Sequence, residues 1–160
     1  MKKQFRILGM LLLSFFAFTT LTACGSDDND DEPQISNVRE SDLTKPWMII
    51  NVEEGQEDEL YFITFNGNRA ARGILNDNGS IYDVMVYNNW KLDGDKLYLN
   101  GNLAGTIQKV QHQGVQMILI NDIFYLPSNV RVDGRSVEDE LSAVGITREM
   151  LWEAILNSVQ

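Results

Sequence analysis

A single cysteine, Cys24, and a single histidine, His112, stand in this chain of 160 residues. One thiol cannot close an internal disulfide, so the folded body must be held together by its core, which a chain of this length can build. A zinc site draws on several His, Cys or clustered carboxylate ligands, and the nitrogen and sulfur donors for one are missing. Cations are scarce as well: 13 Lys and Arg against 23 Asp and Glu give a formal charge of −10. Nucleic acid is a poor partner for such a chain, because its phosphates need Lys and Arg to displace their counterions. A basic patch for anionic lipid is excluded on the same ground. No Gly-x-Ser-x-Gly elbow accompanies His112, and no glycine-rich loop joins a strand to a helix to cradle phosphate. His112 lies in the hydrophilic run Gln111-His112-Gln113-Gly114 and is predicted to be a surface residue at a hairpin tip. Asp93 and Asp95, the nearest approach to a carboxylate pair, flank a tight turn and are expected to be solvated. No catalytic residue, metal ligand or cofactor is assigned, and the chain is not expected to be an enzyme.

Long apolar runs are absent except at the N-terminus. There Lys2, Lys3 and Arg6 precede an almost uninterrupted apolar stretch from Ile7 to Phe18. This order is that of a secretory signal, and the run is short of the ~20 apolar residues of a spanning helix. It leads into Leu21-Thr22-Ala23-Cys24, which resembles the lipobox of bacterial lipoproteins. The resemblance implies a signal peptide over residues 1–23, cleavage after Ala23, and Cys24 as an N-terminus carrying fatty acyl chains such as palmitate. Losing residues 1–23 removes the three cations Lys2, Lys3 and Arg6, so the charge of −10 becomes −13. Attachment to the membrane would then come from the acyl chains, each buried methylene contributing ~0.8 kcal/mol.

Behind Cys24, the stretch from Gly25 to Pro33 has no apolar residue and a dense negative charge, so it cannot bury enough surface to fold. Residues 24–42 are read as an acidic, disordered tether. A Ca²⁺ loop fails on pattern, since the Gly and the distal Glu at loop spacing are missing. An acidic cluster directly behind the lipidated cysteine resembles the export signal of surface-exposed lipoproteins of the Bacteroidota. It implies a protein anchored in the outer membrane and exposed at the cell surface, with the periplasmic face as the alternative.

From Leu43 the chain reads as short strands joined by turn chemistry. Trp47–Val52, Leu60–Phe65, Arg69–Leu75, a long Ile81–Leu92, Lys96–Leu99, Leu103–Val110, Val115–Ile120 and Ile123–Leu126 are the candidates. Asn66-Gly67, Asp93-Gly94, Asn100-Gly101, Gln113-Gly114 and Asn121-Asp122 fall at the joints. Even spacing of this kind predicts a mainly β fold, an antiparallel meander closing into a small barrel over residues 43–130. Trp47, Phe62-Ile63-Thr64-Phe65-Asn66-Gly67 and Trp90-Lys91-Leu92-Asp93-Gly94-Asp95-Lys96-Leu97 resemble the lipocalin-like small barrels of Bacteroidota lipoproteins. The Lys45-Pro46-Trp47 start departs from the Gly-x-Trp of true lipocalins.

Residues 131–160 read as a short helical pair. Ser136 can cap the first helix, with Glu138, Asp139 and Glu140 at the positive end of its dipole. Gly145 is a stop, and Thr147 caps a second helix whose Trp152, Ile155, Leu156 and Val159 fall on one stripe. The Gly bend resembles a helix-turn-helix, but Arg148 is the sole base of the second helix and DNA binding is rejected.

Strict alternation along Ile81–Leu92 sets Tyr82, Val84, Val86 and Trp90 on one face. Trp47, Val84, Val86 and Trp90 are therefore expected to face the barrel interior or a ligand within it. The function expected is that of a membrane-anchored, non-catalytic binding or accessory lipoprotein, taking a small hydrophobic ligand or an envelope protein partner. The alternative is a structural or assembly component whose barrel core is solid and holds no small molecule.

Overall fold

The computed structural model describes residues 33–160. Leu21, Thr22, Ala23 and Cys24, with the signal peptide and residues 24–32 of the acidic tether, lie outside these residues.

Order begins ahead of the expected Leu43 start. Gln34–Asn37 forms strand β1, and Glu40–Thr44 forms the one-turn helix α1, which buries Leu43. Asp42 closes the first turn of α1 by accepting the Arg39 N–H at 2.8 Å. The strands that follow are β2 (Ile49–Asn51), β3 (Glu59–Asn66), β4 (Arg69–Asn76), β5 (Ile81–Tyr87) and β6 (Trp90–Asp93). They continue as β7 (Lys96–Leu99), β8 (Asn102–His112), β9 (Val115–Ile120) and β10 (Ile123–Pro127). A small hairpin of β11 (Arg131–Val132) and β12 (Arg135–Ser136) leads into helices α2 (Val137–Ala143) and α3 (Arg148–Ser158).

Among the described residues, the first ten strands make one antiparallel sheet in the order β5-β4-β3-β2-β10-β9-β8-β7-β6, with β1 on β8. The turns explain its meander. Asn100-Gly101, Gln113-Gly114 and Asn121-Asp122 each hold both central residues at positive φ, the backbone of the tight hairpin turn whose twist matches that of the strands. The two ends of the sheet, β5 and β6, share no ladder, so strand pairing does not close it into a barrel.

Both faces of the sheet are buried, and β3 shows it: Phe62, Ile63, Thr64 and Phe65 are all shielded from water. Leu60 and Phe62 join Met48, Ile50, Met117 and Leu126 under Leu141, Leu151, Trp152 and Ile155 of the C-terminal helices. Ile63 and Phe65 join Ile49, Leu97, Ile107 and Ile118 with Leu43 of α1. Each fully buried Leu, Ile or Phe contributes about 1.5–3 kcal/mol. The period of two along each strand thus feeds two cores on opposite sides of one sheet.

The long strand expected over 81–92 is broken twice. β4 and β5 pair Arg72 with Met85 but Ile74 with Tyr82, so β5 carries one extra residue. Asp83, at φ 51°, sits at this bulge. A bulge reverses the alternation beyond it. Val84 and Val86 therefore pack with Ile81 toward the C-terminal helices, while Tyr82 reaches the opposite face and donates its hydroxyl to Glu59. The chain then leaves the sheet at Asn88-Asn89, where both N–H groups donate to Asn100 Oδ1, at 2.7 and 3.3 Å.

The helix caps are those read from sequence. Ser136 Oγ accepts the Asp139 N–H at 3.1 Å, and Thr147 Oγ1 accepts that of Met150 at 3.3 Å. Gly145, at φ 82°, ends α2 while Ile146 N–H reaches back to Leu141 O at 2.9 Å. The buried stripe of α3 is Leu151, Trp152 and Ile155. Val159 lies beyond the helix end and is exposed, which corrects the stripe expected to run on to it.

Candidate functional site

The sheet curves so that its two arms face each other across a cleft of about 680 Å³. One wall comes from β3, β4 and β5, the other from β7, β8, β9 and β10. Tyr61 and Ile63 of β3, Arg72 and Ile74 of β4, and Met85 of β5 line the first wall. They share the face opposite the C-terminal helices, because Ile63 pairs with Arg72 and Arg72 with Met85 in register. Leu97 and Leu99 of β7 stand on the other wall with Ile120, Ile123 and Tyr125. The lining is largely apolar, and Met85 and Ile123 are unusually exposed for their type, at 47% and 46%.

One lip of the cleft is shaped by a second bulge. Leu97 pairs with Gly105 but Tyr98 with Leu103, which leaves Ala104 unpaired in β8. Asn121 locks this bulge: its Oδ1 accepts the Thr106 N–H and its Nδ2 donates to Ala104 O, both at 3.1 Å. Gly105 has no side chain to obstruct that clamp; a Cβ there would fall 1.9 Å from Asn121 Oδ1.

Two charges line the cleft, Arg72 and Asp83. Arg72 Nη2 donates to Met85 Sδ at 2.9 Å. Among the described residues no carboxylate forms an ion pair with Arg72; the ion pairs join Lys109 to Asp42, Arg131 to Asp139 and Arg135 to Glu140. Phenols report the field. Burial pushes the Tyr125 hydroxyl up from its ordinary pKa, the Arg72 charge opposes this, and Glu53 reinforces it. Burial first, then the charges of Glu53 and Glu59, pushes Tyr61 up. Tyr82 is pushed up to about 12, chiefly by its hydrogen bond to Glu59. The cleft thus has an acidic end beside Glu59 and Asp83 and a cationic feature at Arg72.

Of the residues read from sequence as interior-facing, the structure brings Trp47, Val84 and Val86 together in the cluster under the C-terminal helices. Trp90 goes elsewhere, packing edge-on against Phe65 with ring centroids 4.8 Å apart and donating Nε1 to Gly67 O at 3.0 Å. Val84 reaches the cleft; Trp47, Val86 and Trp90 do not line it. Arg72, Tyr61 and Tyr125 do; of these, Tyr125 is among the aromatics that the sequence offers as cavity-lining, while Arg72 and Tyr61 carry no such expectation. A signal for Arg72 was present, since it interrupts the apolar alternation Ala70, Arg72, Ile74. His112, expected at the surface, is buried at 4%, and its Nδ1 has no hydrogen-bond partner among the described residues. It is the last residue of β8, and Gln113-Gly114 makes the turn without it. Among the described residues, no three His, Cys, Asp or Glu side chains converge on a common point, and no helix is long and apolar enough to cross a membrane.

Comparison of the chain with protein-family models, with curated proteins and with solved structures found no match.

Proposed function

We propose that this protein is a lipid-anchored lipoprotein of the outer membrane that works as a non-catalytic binding module, taking a small hydrophobic ligand in its cleft. The observation that carries this reading is the cleft itself. Its volume of about 680 Å³ falls within the ~300–1,000 Å³ typical of small-molecule sites, which are likewise mostly apolar with a few placed polar groups. Each ligand methylene sequestered there would contribute about 0.8 kcal/mol. In this reading the curved sheet is an open relative of the lipocalin-like barrel. The acyl chains on Cys24 hold it at the membrane and the acidic segment sets its reach, toward the cell surface rather than the periplasm.

The ligand half is tested by native mass spectrometry of the protein purified from its own cells. A retained small hydrophobic molecule, displaced by added alkyl probes, is the expected result. A protein that is empty and takes up no probe would leave the structural or assembly role, with a partner bound through the surface. The anchor half is tested by labelled palmitate: incorporation should occur in the wild type and vanish in Cys24→Ser. Protease shaving of intact cells should degrade the body if it faces outward.

A further inference from the structure

We infer that the cleft selects amphiphiles with an anionic head, the acid group being held by Arg72 and the apolar body lying against Ile74, Ile120 and Ile123. This rests on the small-ligand reading above and gives that ligand its chemical class.

Among the described residues, Arg72 is the one cation in the lining. Its hydrogen-bond partner is a thioether, Met85 Sδ, and a thioether is a weak acceptor that cannot neutralise a guanidinium. Arg72 is exposed on the cleft wall and, among the described residues, makes no ion pair, so its guanidinium is open to an acid entering the cleft. The planar fork of Arg matches a carboxylate with two parallel, charge-assisted hydrogen bonds. Tyr125 lines the same cleft, and the Arg72 charge acts on its phenol. Arg72 and Tyr125 therefore address a common space, and the phenol O–H offers a second donor to an acid bound there. Met85 supports the arrangement from the other side. Met85 is 47% exposed and sets its flexible thioether beside the guanidinium, and such a side chain adapts readily to a variable apolar body.

Asp83 is the opposing consideration. Among the described residues it is the one carboxylate in the lining, and it makes no ion pair with Arg72. Its charge falls on Tyr61 and Tyr82, beside Glu59. Glu53 likewise acts on Tyr125 and Tyr61, so an anionic head would settle on Arg72 itself, and a cationic head would seek these carboxylates. The two chemistries are therefore distinguishable.

The test compares octanoate, octanol and octyltrimethylammonium, by equilibrium dialysis against the full chain in phosphatidylcholine nanodiscs, with empty nanodiscs subtracted. Octanoate should bind at least about tenfold more tightly than octanol, as expected for a charge-assisted bidentate contact. Arg72→Gln should remove that advantage and leave octanol unchanged, and Arg72→Lys should restore part of it. Equal binding of octanoate and octanol to the wild type, or a preference for octyltrimethylammonium, overturns the anionic-head inference while leaving the cleft as an apolar site. Binding of none of the three overturns the small-ligand reading, and this inference with it. The headgroup comparison on the wild type decides the matter even if a variant folds poorly.

Discussion

Ser128 Oγ accepts the backbone N–H of Trp47 at 3.0 Å, across 81 residues of sequence. The same oxygen lies 3.4 Å from the Met48 N–H. The Ser128 backbone completes the knot, its N–H donating to Met48 O at 2.8 Å and its carbonyl accepting the Glu138 N–H at 2.7 Å. Thr64 adds its hydroxyl to the Trp47 carbonyl. One fully buried serine therefore joins the entry to β2, the exit from β10 and the first turn of α2.

Ser128→Ala should destabilise the fold by about 1–3 kcal/mol, the cost of leaving a buried N–H without its acceptor. Urea denaturation followed by tryptophan fluorescence measures it. A change within error would mean that the Trp47 N–H finds another partner.

Gly105→Ala should deform the cleft lip. The added Cβ would overlap Asn121 Oδ1, and φ of 152° is a backbone setting that suits glycine. A loss of about 1–3 kcal/mol is expected from such overpacking. Asn121→Gly in the same background should recover part of it, by removing the clashing side chain. No recovery would place the strain elsewhere.

Alkaline titration should reveal a phenol of unusual weakness. Tyr82 is pushed up to about 12, first by its hydrogen bond to Glu59 and then by burial. A folded-state pKa above the unfolded value of about 10 means that the contribution is fully present below pH 10. It is lost as pH rises through 12. Tyrosinate absorbance should show a late component that Tyr82→Phe removes, and that Glu59→Gln moves to lower pH. An unchanged late component in Tyr82→Phe would assign it to another tyrosine.

The C-terminal helices should prove integral to the body. Ile155 is fully buried in the core shared by β3, β9 and β10, whereas Met150 on the same helix is 54% exposed. Ile155→Ala should cost about 2–5 kcal/mol through lost burial and the cavity left behind, and Met150→Ala should fall within about 0.5 kcal/mol of wild type. Comparable small effects at both positions would show that α3 is only loosely held.

Ser136 and Thr147 should each behave as helix caps, with alanine costing about 0.5–2 kcal/mol. Helical circular dichroism and the denaturation midpoint report the loss together.

The residues divide by how local their determinants are. Caps at Ser136 and Thr147, the stop at Gly145 and the hairpin turns with positive φ were legible, because each depends on a few neighbouring residues. Most strands were legible for the same reason. The Asp83 bulge was not, since Tyr82-Asp83-Val84 alternates plausibly on paper and the extra residue exists only relative to β4. β1 was hidden in a polar stretch with no periodicity, and it is a strand because the outer edge of β8 is available to pair Ile35 with Val110. His112 looked hydrophilic by its neighbours, yet it ends a strand with its ring turned out of solvent.

The sequence by itself determined a mainly β chain of antiparallel hairpins with two capped helices behind it, because turn chemistry, caps and period-two apolar residues act over a few positions. It also supplied the expectation of a membrane anchor at Cys24, which rests on residues ahead of the described fold. Only the tertiary structure decided that the sheet is buried on both faces, that Trp47 and Trp90 belong to different cores, and that Arg72 and Tyr125 share a cleft. Those facts depend on register and curvature, which bring together side chains distant along the chain, and no local pattern encodes that distance.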